Sequence, residues 1–110
     1  MATYYYVVLT SAKPGRQDDF HAWYDNQHMP DVKNVPGVKG ARRYKLLNAV
    51  ENHEAVDSPW DSLAVYEFDT DDPLALAKSL STMAGSDAMP MTDSIDDVRI
   101  KIIGTFAKEV

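Results

Sequence analysis

The chain has 110 residues, seventeen acids against eleven bases, a net charge of −6 and no cysteine. That length holds one domain spanning 1–110 with a modest core. The acidic balance disfavours nucleic acid, which needs a basic stripe to displace counterions, and the missing cysteines remove disulfides, thiolate metal sites and a Cys nucleophile together.

Tyr4 to Ser11 is β-branched and aromatic and predicts a strand. The apolar run Tyr4–Leu9 is too short for a signal or membrane helix and lacks a basic leader, so the chain reads as soluble and cytoplasmic, with no membrane partner. Lys13-Pro14-Gly15 turns the chain. Gln17 to Met29 predicts a helix, with Asp18 and Asp19 near its positive end. Pro30 lacks an N–H and disfavours helical angles at Met29, so a helix end or kink is expected there. Pro36-Gly37 launches a second strand over Val38–Leu47, which holds the basic cluster Lys39, Arg42, Arg43 and Lys45. A long loop over Asn48–Asp61 contains His53 and ends in Ser58-Pro59-Trp60. Ser62 to Phe68 is the third strand. Asp72-Pro73 starts a second helix that runs to about Ala84, with Gly85 closing it and Leu74, Ala77, Leu80 and Ala84 as its apolar stripe. A second long loop, Gly85–Asp96, carries Met89-Pro90-Met91, and Val98 to Thr105 is the last strand.

The order β-α-β-β-α-β is that of an α+β, ferredoxin-like sandwich: an antiparallel sheet with both helices on one face. The other sheet face would then be too apolar to stay wet. A second copy packed face to face would cover it, so a homodimer is expected.

The chemistry concentrates in Trp23-Tyr24-Asp25-Asn26-Gln27-His28-Met29-Pro30. Tyr24 and His28 lie four apart and share a helix face. Phe20, Trp23, Gln27 and Asp31 fall on the same broad stripe. A core-facing stripe that ends in proton-carrying groups implies that the core opens into a pocket there. His28 is the first candidate, because an imidazole can take and return a proton near neutrality; the competing reading is a core histidine that pins the helix. Tyr24 can donate to a developing enolate oxygen or pack as an amphipathic aromatic. Tyr66 either lines the same cavity or fills the core. Trp23 and Trp60 are candidate pocket walls, with a loop or dimer anchor the alternative for Trp60. Arg43 can hold a substrate carboxylate by its fork or sit at the surface. Asp25 and Asn26 face away, and Asp25 can pair with a neighbouring base. His53 reads as exposed. The metal signal is weak and none is expected: His21 and His28, seven apart, can share a helix face, but there is no H-E-x-x-H or EF-hand loop, and a helix N-terminus accounts for Asp69, Asp71 and Asp72. No glycine-rich phosphate loop is present.

The element order, Trp23 to Pro30, Pro36-Gly37, Pro59-Trp60 leading into Leu63–Glu67, and Met89-Pro90-Met91-Thr92-Asp93 together resemble the dimeric α/β-barrel superfamily, specifically its EthD-like branch. That superfamily includes muconolactone and methylmuconolactone isomerases, aromatic polyketide cyclases, quinone-forming monooxygenases and haem-degrading enzymes, many without metal or organic cofactor. The resemblance implies a cavity between sheet and helices, and it sets His28 where the methylisomerase keeps a proton-transferring histidine. That enzyme also uses cysteines, absent here, and Tyr44 lies further past Pro36-Gly37 than its strand tyrosine. The expected function is therefore a cofactor-independent enzyme acting by proton transfer on a carbonyl-bearing aromatic or lactone-like small molecule, as an isomerase, cyclase or lyase. The alternatives are a cofactor-free monooxygenase and a non-catalytic small-molecule-binding accessory protein of an oxidative pathway.

Overall fold

The structure, a computed structural model, describes residues 2–110. Four strands, β1 (Thr3–Thr10), β2 (Val38–Lys45), β5 (Ser62–Asp69) and β6 (Ile103–Ala107), form one sheet in the order β2-β5-β1-β6. All its pairings are antiparallel. This is the ferredoxin-type α+β arrangement. A second, small sheet pairs β3 (Asn48–Glu51) with β4 (Glu54–Asp57).

Alternation along β5 defines the two faces. Ser62, Ala64, Tyr66 and Phe68 are buried, while the residues between them are only partly so. Thr10, Val8, Tyr6 and Tyr4 of β1 lie directly opposite those four and share their face. The helices cover this face, and Phe20, Val32, Phe68 and Met89 are almost fully enclosed in the core between them.

The first helical arm is longer than expected and is not uniform. The α-helix α1 (Gln17–Trp23) widens into a π-helical turn over Tyr24–His28, then resumes as α2 (Met29–Lys33). The Met29 N–H bonds back five residues to the Tyr24 carbonyl. Pro30 therefore neither ends nor breaks the arm. It occupies the first turn of α2, where a missing N–H is harmless, and the widened turn relieves the ring's conflict with the preceding ladder.

The second helix, α3 (Pro73–Met83), starts as expected: Asp72 Oδ1 accepts from the Ala75 N–H at 3.1 Å. Gly85 just beyond it has φ +88°. Its inward face is rotated from the expected stripe. Leu74 is 53% exposed, whereas Ala77 and Leu80 are buried and Leu76 and Met83 pack on the core. The cause lies across the chain. A Cβ at Gly37 would come within 3.1 Å of the Leu76 side chain, so the bare glycine backbone is the seat for that leucine.

Two further segments differ from expectation. Asn48–Asp61 is mostly the β3-β4 hairpin, turned at Asn52 (φ 51°) and His53 (φ 66°). Asn tolerates the left-handed conformation, but without a glycine the dipeptide is a weak hairpin signal. The last strand begins at Ile103, five residues later than expected. Residues 98–99 are held instead in a turn in which Asp96 Oδ1 accepts from the Val98 and Arg99 N–H groups at 3.2 and 2.9 Å.

Candidate active site

A cavity of about 160 Å³ lies between the sheet and the helices. Tyr6, Val8 and Thr10 come to it from β1, Tyr66 from β5, and Trp23, Tyr24, His28 and Val32 from the helical arm. Ala77 and Leu80 of α3, with Met89, Met91, Ile95 and Ile102 from the chain after it, complete an apolar wall.

The π-helical turn shapes the polar end. In a regular α-helix residues five apart point about 140° away from each other. Here the widened turn brings Trp23 and His28 to the same side, their rings stacked with centroids 4.6 Å apart and planes at 25°. Tyr24, one turn before His28, meets the imidazole edge-on at 5.3 Å and 84°. The imidazole is thus held between an indole face and a phenol.

His28 Nδ1 is buried with no hydrogen-bond partner, and so is Thr10 Oγ1. Burial pulls the His28 imidazole down to a pKa of about 4, opposed weakly by Asp31, so the ring is neutral at physiological pH. Burial raises the Tyr24 phenol, against the nearby hydroxyls of Tyr66 and Thr10 and the charge of Arg43. Tyr66 is raised well above the usual phenol range by burial and by Tyr24 beside it. Both phenols are therefore protonated donors at neutral pH. The polar end can accept at an imidazole nitrogen, donate from two phenols and do either at Thr10.

Trp23 closes the cavity on the loop side. Its indole N–H donates to the Pro90 carbonyl at 3.0 Å, next to the buried Met89. Tyr24, His28, Tyr66 and Trp23 are thus brought to one cavity. Trp60 and Arg43 are not in its lining. The Trp60 indole donates to the Lys101 carbonyl at 2.9 Å and ties down the approach to β6. Arg43 is spent behind Tyr24. Its Nε and Nη2 donate to the two Asp25 carboxylate oxygens at 2.8 and 3.0 Å, Nη1 meets His21 Nδ1 at 2.8 Å, and the guanidinium lies 5.0 Å from the Tyr24 ring centre. In that position it stacks on a wall of the cavity and has no free fork for a carboxylate inside it. His53 is exposed at the tip of the β3-β4 hairpin.

Thr10 and Tyr6 were not singled out in the sequence. The available signal was period two: Tyr6, Val8 and Thr10 alternate onto the face that the helices cover. Nothing in the sequence marks Thr10 as unpaired. Among the described residues, no group of three or more His, Asp and Glu could hold a metal ion. Among them, too, no helix is long and apolar enough to cross a membrane.

The molecule is thus an α+β protein with a ferredoxin-type sheet and a mixed apolar and proton-donating cavity under its helices. No protein-family model matches the sequence, and no curated protein matches it. Among solved structures it is similar to an ethyl tert-butyl ether D (EthD) family protein from Bacillus halodurans C-125, with TM-score 0.61 and 14% identity over 97% of this chain and 99% of that one. It is equally similar to an EthD-like protein from Ralstonia eutropha JMP134, with TM-score 0.61 and 14% identity over 98% of this chain and 92% of that one. The chain has the fold of EthD-family proteins.

Proposed function

We propose that this protein is a cytoplasmic, cofactor-independent enzyme that moves a proton on a carbonyl-bearing aromatic or lactone-like small molecule, as an isomerase, cyclase or lyase. The observation that carries the reading is His28 in the lining of an apolar cavity, with its Nδ1 buried and without a partner. A buried polar atom without a partner costs folding free energy and calls for a function. A substrate carbonyl at that end would accept from Tyr24 or Tyr66 while the imidazole takes the adjacent acidic proton. The low basicity of His28 does not oppose this. The imidazolium would form beside an enolate, and each charge would stabilise the other.

The test is proton exchange in D₂O, followed by NMR on a panel of aryl ketones and lactones. Wild type should wash deuterium into the position next to the carbonyl, and a folded His28→Phe variant should not. If the two proteins match the buffer rate, the catalytic reading fails.

That same low basicity also favours a second reading, a non-catalytic binder in which His28 only accepts a hydrogen bond. Binding without exchange by wild type, weakened in the variant that lacks the acceptor, would support it. Oxygen uptake with the same panel would point to a cofactor-free monooxygenase.

The protein is proposed to act as a homodimer joined through the open faces of two sheets. Tyr5, Val7 and Leu9 of β1 and Leu63 and Val65 of β5 lie on the face away from the helices, partly accessible and mostly apolar.

A further inference from the structure

We propose that the cavity selects an uncharged, single-ring ligand with one keto, enol or phenolic oxygen at the His28–Thr10 end, and that it discriminates against carboxylates; this rests on the cavity being the functional site. Size sets the first limit. The cavity measures about 160 Å³, close to the engineered protein cavity of about 150 Å³ that takes up benzene. One ring fills that volume.

The wall chemistry sets the second limit. Among the described residues lining the cavity there is no Lys, Arg, Asp or Glu. Arg43 approaches from behind the Tyr24 ring, but its charge is matched by the bidentate Asp25 carboxylate. A carboxylate entering the cavity would lose its water and meet only neutral donors, an uncompensated burial of charge.

The unpartnered atoms set the third limit. His28 and Thr10 both line the cavity, their Nδ1 and Oγ1 atoms are buried without a hydrogen-bond partner, and the Thr10 residue is only 4% exposed. A hydroxyl or enol oxygen both donates and accepts, so it can complement either an imidazole nitrogen or a threonine hydroxyl. A keto oxygen can accept from Thr10 and the phenols.

Calorimetric titration with two probes of near-equal shape tests the proposal: 4-hydroxyacetophenone, which is neutral, and 4-hydroxybenzoate, which is ionised at neutral pH. The neutral probe should bind about tenfold or more tightly than the anion, because only the anion carries unpaired charge into the cavity. Thr10→Val, which keeps shape and removes the hydroxyl, should weaken the neutral probe several-fold. Equal or tighter binding of 4-hydroxybenzoate, itself weakened by Thr10→Val, would overturn the charge selectivity and leave the cavity standing as a ligand site. Binding indifferent to Thr10→Val, or no binding of either probe at millimolar concentration, would overturn both the selectivity and the reading of this cavity as the site.

Discussion

At His28 the protein holds a titratable ring in a place that disfavours its charged form, and this has a pH signature. The folded-state pKa of about 4 lies below the ordinary value of 6.5. Between those values the unfolded chain binds a proton that the folded protein does not, so stability falls as pH drops through that window. The full effect, on the order of 2–3 kcal/mol after allowing for partial solvent screening, should be present above about pH 7 and gone near pH 4. Denaturant unfolding of wild type and His28→Phe across this range checks it: the difference between the two should shift steadily toward the variant on acidification. Thr10 makes a complementary case. Its buried hydroxyl oxygen makes no hydrogen bond of good geometry, although it lies near enough to the Tyr24 phenol to ease that group's ionisation, so Thr10→Val should leave stability unchanged or raise it by about 1 kcal/mol. Most buried Thr→Val changes would instead break a hydrogen bond and lower it. The same unfolding measurement decides, and a loss of more than 1 kcal/mol would show that Thr10 has a partner after all.

Two element-scale devices position the site. The first is the clamp between the helical arm and β2. Arg43, with its side chain only 8% exposed, reaches Asp25 across eighteen residues and backs the Tyr24 ring. Its planar fork engages Asp25 and His21 together, which a lysine cannot reproduce. Arg43→Lys should cost about 1–2 kcal/mol in denaturant unfolding. It should also broaden the Tyr24 resonances in NMR spectra, since the ring loses its backing. The second device is the close approach of β6 to Tyr6. A Cβ at Gly104 would lie within 2.8 Å of the Tyr6 ring. Gly104→Ala must therefore displace either the ring or the strand, at a cost of about 1–3 kcal/mol. Because Tyr6 lines the cavity, the change should register in hydrogen exchange of β6 and in ligand binding together.

For the whole molecule, the open sheet face is where the proposed second copy would pack. That face carries Val7, Leu9, Leu63 and Val65 with Tyr5 and the half-exposed Tyr44, an apolar centre bordered by the charged Arg42 and Glu67. Sedimentation equilibrium should find twice the protomer mass. Val65→Lys, a charge placed in the middle of that face, should shift the population to monomer without unfolding the sheet, since Val65 contributes nothing to the buried core on the other side. A variant that stays dimeric would move the interface elsewhere, with the exposed β3-β4 hairpin, where Val50 is 75% exposed, as the next surface to probe.

The sequence by itself determined the order of the main elements, the starts of both helices and the inward face of the first one. These follow from local rules: the β-branched and aromatic run from Tyr4 to Ser11, the two-sided pattern of Ser62–Phe68, the Asp72-Pro73 cap, and the four-residue spacing of Tyr24 and His28. Tertiary structure alone decided the rest, because each remaining feature depends on a partner far along the chain. The π-helical turn stacks Trp23 on His28, and a periodicity of 3.6 could not foresee it. Arg43 lies outside the cavity because Asp25 and His21 capture it. The start of β6 is set by Asp96 and by its register on β1. The unpartnered Thr10 hydroxyl, the most informative atom for ligand chemistry, is a property of its surroundings and not of threonine.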